Sequence, residues 1–208
     1  LRPPMPPPQA DPRPPVAPAV ASASAPSELP SYGVAGLVSV VLPVYDQAGL
    51  LGEAIESVLG QTYGHFELIV VNDGSRDGVE GVLEAYAGDP RVRVLAQANQ
   101  KLPKALSNGF DVARGEFWTW TSADNLMHPE QLERQVAYLR AHPGVALVYA
   151  DYRAIDDRGE PLSDPTWRAH NRPDAASNAI RLPRSAEALN RVHDNFIGPC
   201  FLYRGGVG

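Results

Sequence analysis

The regular alternation of aliphatic strands and amphipathic helices constrains the fold of this chain more than any other feature of its sequence. Residues 37–44, LVSVVLPV, and residues 66–73, FELIVVND, are aliphatic runs rich in β-branched residues. Such runs are typical of strands that are buried on both faces of a sheet. Residues 48–61 lie between them and place leucine, isoleucine and valine on one helical stripe. A strand, a helix and a second strand in this order indicate a parallel sheet.

The same alternation continues through most of the chain. Further strands are predicted at 91–97, 116–121 and 145–155, with another at 195–204, and further helices at 78–88, 102–114 and 129–142. We therefore expect an α/β fold with a mostly parallel sheet flanked by helices. Connections between parallel strands are nearly always right-handed, and such a sheet then has the topology of nucleotide-binding α/β proteins.

The N-terminal part has a different composition from the rest of the chain. Residues 1–30 hold eleven of the 21 prolines and almost no large apolar residue. A segment of this kind buries too little surface to offset its chain entropy. We therefore expect a disordered Pro/Ala-rich tail over residues 1–35 and a folded domain over residues 36–208. A solvated linker is the expected role of the tail, and a proline-rich ligand for a partner domain is the alternative.

Composition also excludes several classes of function. The net charge of −6 does not fit a general nucleic-acid binder, which normally carries a basic face. A single cysteine, Cys200, excludes an intramolecular disulfide and a cysteine-rich zinc site. No apolar run reaches the about 18 residues of a membrane span, and the N-terminus lacks the apolar core of a signal peptide. We expect a cytoplasmic protein, free or peripheral at the inner face of the membrane.

The carboxyl ends of the strands are the expected place for a ligand, because open α/β sheets bind ligands at that edge. Tyr45, beside Pro43, either offers its ring to a nucleobase or packs at the strand end. Asp73 either caps the following helix or accepts hydrogen bonds from a base N–H or a ribose hydroxyl. Neither a Walker loop nor a dinucleotide-binding fingerprint follows these strands.

Two further positions have open interpretations. Asp124, in WTSADN at 120–125, either caps a helix or supplies a carboxylate to a hard divalent cation. Lys101 either contacts a diphosphate or is solvated at a helix start. A tyrosine, an aspartate and a second aspartate at three strand ends would together provide groups for a base, a nucleoside and a cation.

Across residues 37–204 these segments resemble family 2 glycosyltransferases with the GT-A fold. The resemblance lies in VSVVLPVYDQAGLLGEAIESVLGQTYGHFELIVVNDGSRD, in GEFWTWTSADNLMHPEQLE and in NFIGPCFLYR. It implies a metal-dependent, inverting enzyme that transfers a sugar from a nucleotide diphosphate, with UDP-sugars favoured, to a glycan, lipid or protein hydroxyl. It also implies that Pro43 and Tyr45 line the nucleobase, that Asp73 binds base and ribose, and that Asp124 holds Mn²⁺ or Mg²⁺.

The chain departs from the family pattern in two places. Ser122 stands where the first aspartate of the D-x-D motif usually lies, and we expect its hydroxyl to reach a phosphate or a metal-bound water. The catalytic base of the family follows FLYR, so it is expected beyond Gly208, and the GT-A domain is expected to lack its C-terminal part. The alternative is a domain that binds nucleotide but is catalytically incomplete. A nucleotidyltransferase is a third possibility, but the glycine-rich basic loop it would need after the first strand is missing.

Overall fold

A six-stranded sheet lies at the centre of the computed structural model, which describes residues 32–156, 158–162, 179–180, 182 and 200–206. The strands are β1 (Val34–Val44), β2 (Phe66–Asn72), β3 (Val92–Ala96), β4 (Gly115–Trp120), β5 (Leu147–Tyr149) and β6 (Phe201–Arg204). The helices are α1 (Ala48–Leu59), α2 (Val79–Glu84), α3 (Lys101–Asp111) and α4 (Gln131–Ala141). Within the described ranges, every helix is too short or too polar to traverse a lipid bilayer.

The strand order in the sheet is β3-β2-β1-β4-β6-β5. β1 pairs in parallel with both β2 and β4, and β2 pairs in parallel with β3. β6 is antiparallel to β4 and to β5. The mostly parallel α/β fold predicted from the sequence is therefore confirmed. The order reverses between β1 and β4, so the loops that leave these two strands diverge and open a crevice at their carboxyl ends.

Strands β1 and β2 are mostly aliphatic because both faces of the sheet are covered there. All seven residues of β2 are buried. On one face Leu42 packs in a cluster with Leu51 of α1 and Leu132 of α4. On the other face Val41 packs in a second cluster with Ala105 of α3. Full burial of each such aliphatic side chain contributes about 1.5–3 kcal/mol relative to exposure.

Several predicted segments differ from the structure at their ends; the helix predicted at 78–88, for example, ends at Glu84. The strand predicted at 145–155 is limited to Leu147–Tyr149, because it lies at the sheet edge and pairs only with the short strand β6. The strand predicted at 195–204 is present as Phe201–Arg204, and residues 195–199 lie outside the described part. Most of the predicted tail, residues 1–31, also lies outside it, and β1 begins at Val34.

Candidate functional site

A cleft of about 290 Å³ lies where the strand order reverses, over the carboxyl ends of β1 and β4 and against the first turns of α3. Its lining residues are Pro43, Val44, Tyr45, Gln47, Asp73, Leu102, Ala105, Trp120, Ser122 and Asp124. Five of the six residues predicted for the site therefore line one cleft. Lys101 does not line it, although its neighbour Leu102 does.

The loops after β1 and β2 are held together by hydrogen bonds. Asp46 N donates to Ser75 Oγ at 3.1 Å, and Arg76 N donates to Asp46 Oδ1 at 2.7 Å. Ala48 N, at the start of α1, donates to Asp77 Oδ2 at 2.7 Å. The helix α1 thus obtains its N-terminal acceptor from the neighbouring loop and not from its own N-cap residue. These contacts fix the position of the loop that carries Tyr45.

The ring of Tyr45 is available to a ligand. Its side chain is 42% exposed and lines the cleft. The residue is thus not buried at the strand end, and part of it faces the cleft. A flat aromatic surface at the mouth of a cleft is suited to stacking with a nucleobase, a contact worth about 1–3 kcal/mol per base.

Asp73 is held by the start of α3 and does not cap the helix that follows it. Its Oδ1 accepts from Gln97 Nε2 at 2.8 Å and from Gln100 N at 2.8 Å. The N-cap of α2 is Gly78, which forms no side-chain cap. No donor among the described residues reaches Asp73 Oδ2, and the residue lines the cleft. One carboxylate oxygen is thus used within the protein, and the other has no donor among the described residues. Only 3% of Asp73 is exposed, so a ligand has to enter the cleft to reach this oxygen.

Asn72 precedes this aspartate, and its side chain stabilises the loop through hydrogen bonds. Its Oδ1 accepts from Ser75 N at 2.9 Å, and its Nδ2 donates to Glu80 Oε1 at 2.9 Å. The side chain is buried at 3% exposure. Asn72 therefore shapes the turn that presents Asp73, since both of its amide atoms are occupied by protein partners.

The turn after β4 is organised around Asp124. Ser122 Oγ donates to Asp124 Oδ1, and Asn125 Nδ2 donates both to Ser122 Oγ and to Asp124 Oδ1. The helix α4 starts only at Gln131, and no described backbone N–H donates to the Asp124 carboxylate. The helix-cap interpretation of Asp124 is therefore wrong. Ser122, which replaces an acidic residue of the family motif, orients the remaining carboxylate.

The donor set at this turn suits a hard divalent cation that is shared with a substrate. The described residues contain no group of three or more His, Cys, Asp or Glu side chains arranged to hold a metal ion. Mg²⁺ and Mn²⁺, however, are often held by one or two carboxylates together with substrate phosphates and water. The exposed carboxylate of Asp124 is an oxygen ligand of this kind. The residues present fit such a cation.

Several lining residues were not found from the sequence. Trp120 is half-buried against the α3 cluster and also lines the cleft. Leu102 is 47% exposed at the start of α3, where a leucine resembles any other helix residue in the sequence. Gln97, which does not line the cleft but holds Asp73, was also missed, because this contact joins two loops that are 24 residues apart.

Asp124 also belongs to a second hollow of about 260 Å³, which is lined by Leu50, Glu53, Ala123, Leu126, Ile155 and Asp156 as well. Asp156 Oδ1 accepts from Arg158 N and Glu160 N, both at 2.9 Å. This carboxylate therefore shapes a turn. The two hollows meet at Asp124, which places this residue between the cleft and a neighbouring space.

Comparison with known proteins identifies the fold and the family. An uncharacterized glycosyltransferase of Rickettsia felis is 36% identical over 127 residues, which are 61% of this chain and 21% of that protein. The mannosyltransferase PcManGT from Pyrobaculum calidifontis, in complex with GDP-Man and Mn²⁺, aligns with a TM-score of 0.52 at 27% identity. That alignment covers 56% of this chain and 35% of PcManGT. S. aureus TarS 1-349 in complex with UDP aligns with a TM-score of 0.54 at 25% identity, over 61% and 38% of the two chains.

The matched regions are only parts of larger proteins. They span between 21% and 39% of the length of the Rickettsia relatives. The sheet has the architecture of the GT-A glycosyltransferases, as the sequence predicted. The model of the family described as "Glycosyl transferase family 2" matches residues 39–206. Because this match covers most of its 208 residues, the chain belongs to glycosyl transferase family 2.

Proposed function

We propose that this chain binds the donor of a glycosyltransferase that moves a sugar from a nucleotide diphosphate to an acceptor hydroxyl. The observation that carries the proposal is the cleft at the strand-order reversal, which brings Tyr45, Asp73 and Asp124 together. Similar chains support it, because PcManGT was solved with GDP-Man and Mn²⁺ and TarS with UDP.

The nucleoside would bind on the Tyr45 side of the cleft. The ring stacks on the base, and the open Oδ2 of Asp73 accepts from a base N–H or a ribose hydroxyl. A carboxylate oxygen only accepts, so a base that presents an N–H on its edge is favoured. Uracil presents such an N–H and fits the preference for UDP-sugars that the sequence resemblance implies, but the other bases also carry N–H groups, so this contact alone does not select UDP.

The diphosphate would lie toward Ser122 and Asp124. A divalent cation held by Asp124 supplies Lewis-acid stabilisation for the negative charge of the leaving diphosphate. Ser122 keeps the Asp124 carboxylate in place through its donated hydrogen bond. Lys101, exposed at the start of α3, would add positive charge beside the cleft. Transfer with inversion also needs a base that takes the acceptor proton, and we assign this role to none of the described residues.

Calorimetric titration with UDP in the presence of Mn²⁺ tests this assignment. Asp124→Asn retains the shape of the side chain but removes its charge, and we expect UDP to bind about tenfold more weakly or worse. Adding EDTA is expected to weaken binding to the wild type but not to the variant. Asp111→Asn is the matched control, because Asp111 is an exposed aspartate at the far end of α3. Equal UDP binding by wild type and Asp124→Asn, with and without EDTA, would show that Asp124 holds no cation.

A further inference from the structure

A chain of hydrogen bonds connects the interior of α3 with Asp73. Asn108 Nδ2 donates to Gln97 Oε1 at 2.6 Å, and Gln97 Nε2 donates to Asp73 Oδ1 at 2.8 Å. The same Oδ1 accepts from Gln100 N at 2.8 Å. Neither Gln97 nor Asn108 lines the cleft, so they touch the site only through Asp73.

The acceptor oxygen of Asp73 fixes the direction of the whole chain of hydrogen bonds. Since Oδ1 already accepts from a backbone N–H, the Gln97 amide must turn its nitrogen toward it and its oxygen away. The oxygen then faces Asn108, which must present its own nitrogen. The two orientations of an amide side chain have the same shape and differ only in donor and acceptor placement. Here a single set of orientations satisfies every group.

We propose that Gln97 and Asn108 are positioning residues for the nucleoside of the donor. They hold the Asp73 carboxylate with Oδ1 engaged in the protein, so that Oδ2 stands ready to accept from the ligand. This inference rests on the proposed function, because it assumes that Asp73 receives the nucleoside. Its benefit is preorganisation, since a side chain already held in its binding orientation loses less freedom when the ligand binds.

The same contacts connect Asp73 to the opposite wall of the cleft. Gln100 N lies at the start of α3, and two residues of that helix, Leu102 and Ala105, line the cleft. Asn108 lies further along the same helix. The chain of hydrogen bonds therefore fixes the carboxylate relative to α3 as well as relative to β2.

Asn108→Asp breaks the chain with minimal change of shape. It places an acceptor against Gln97 Oε1, so the Gln97 amide cannot satisfy both of its neighbours. We expect UDP, titrated with Mn²⁺, to bind about tenfold more weakly or worse. Ser107→Asp adds the same charge at an exposed position one residue earlier in α3 and is expected to leave UDP binding unchanged. Inorganic diphosphate with Mn²⁺ should bind equally to all three proteins, because Asp73 contacts only the nucleoside.

A double-mutant cycle separates positioning from general damage. Asp73→Asn keeps an oxygen for both protein donors but replaces the open acceptor with a donor, so it removes the nucleoside contact itself. In that background Asn108→Asp should cause no further loss of UDP affinity, because there is no contact left to position. Gln97→Met, which is similar in size and lacks the amide, should behave in the same way and covers the case in which Asn108→Asp does not fold.

The outcomes distinguish this inference from the proposed function. Absence of UDP binding by the wild-type chain with Mn²⁺ would overturn the proposed function and this inference together. Normal UDP binding by both Asn108→Asp and Gln97→Met would overturn only the inference. An equal loss of UDP affinity in the wild-type and Asp73→Asn backgrounds would also overturn it, because the substitution would then act through the fold and not through Asp73.

Discussion

Gly109→Ala tests how closely α3, one wall of the cleft, must approach the sheet. A Cβ built on Gly109 lies 2.4 Å from Val41 Cγ1, 3.2 Å from Val41 Cγ2 and 3.2 Å from Val71 Cγ2. Val41 is fully buried in a central strand, and its β-branched side chain has few alternative rotamers. The added methyl group therefore has to push the helix away from the sheet or strain the valine.

The expected effect combines two opposing contributions. Replacing glycine by alanine inside a helix stabilises it by about 1 kcal/mol. Overpacking a filled core costs about 1–3 kcal/mol, and a 2.4 Å carbon–carbon contact places this substitution at the upper end. We therefore expect Gly109→Ala to lower the free energy of unfolding by about 2 kcal/mol. Gly52→Ala in α1, where the nearest atom is Tyr86 Oη at 3.8 Å, should instead raise it by up to about 1 kcal/mol.

Urea unfolding of the two variants measures the difference in their free energies of unfolding, provided that the slope of this free energy with urea concentration is the same in both. Val41→Ala combined with Gly109→Ala should be less destabilised than the sum of the single variants, because the methyl group then occupies the space that the valine vacates. The displaced helix should also weaken UDP binding, since Leu102 and Ala105 move with it. If Gly109→Ala is as stable as Gly52→Ala, α3 does not pack as closely as the structure shows and the reasoning fails.

Two further predictions concern charged residues. Lys101 has a φ of 71°, a conformation that costs an L-residue about 1 kcal/mol or more. In urea unfolding, Lys101→Gly should therefore raise the free energy of unfolding, whereas Lys104→Gly, inside α3, should lower it. If Lys101 contacts the diphosphate, Lys101→Gly should also bind UDP more weakly. Burial raises the pKa of the Glu67 carboxyl, but hydrogen bonds donated by Ser39 and Arg114 outweigh it, and the pKa lies below its ordinary value of 4.5. The stability that Glu67 contributes is therefore present above about pH 4.5 and lost as the pH falls through the lower folded-state pKa. The gap in melting temperature between wild type and Glu67→Gln should narrow in acid, and a constant gap from pH 7 to pH 3 would contradict this.

The fold could be predicted because its signals are local. A strand buried on both faces is mostly aliphatic, and β2, whose seven residues are all buried, shows this in its run of leucine, isoleucine and valine between the polar residues Glu67 and Asn72. Parallel strands also direct their carboxyl ends to one edge, and for that reason Tyr45, Asp73 and Asp124 could be placed together before the structure was known. The length of β5 could not be predicted, because it depends on its pairing with β6 from the far end of the chain.

The contacts that tune the site could not be predicted, because they depend on geometry between distant segments. Nothing in the sequence around Gln97 indicates that its amide meets Asp73. Trp120 is a large apolar residue of the kind that usually packs in a core, and only the divergence of the loops after β1 and β4 exposes it to the cleft. The backbone conformation of Lys101 is likewise invisible in the sequence, since lysine gives no signal for a positive φ.

The serine at position 122, where the family motif usually has an acid, affects how the site is expected to bind a cation and a nucleotide diphosphate. A carboxylate at this position would add a second negative charge beside Asp124, whereas the serine hydroxyl donates to Asp124 Oδ1 and leaves one charge at the turn. Cation binding at such a site depends more on ligands from the substrate, because Mg²⁺ and Mn²⁺ are then held by fewer protein oxygens. We therefore expect the cation and the nucleotide diphosphate to bind together, each raising the affinity for the other by the same factor. Titration of Mn²⁺ with and without UDP measures this factor, and equal Mn²⁺ affinity in both titrations would contradict the coupling.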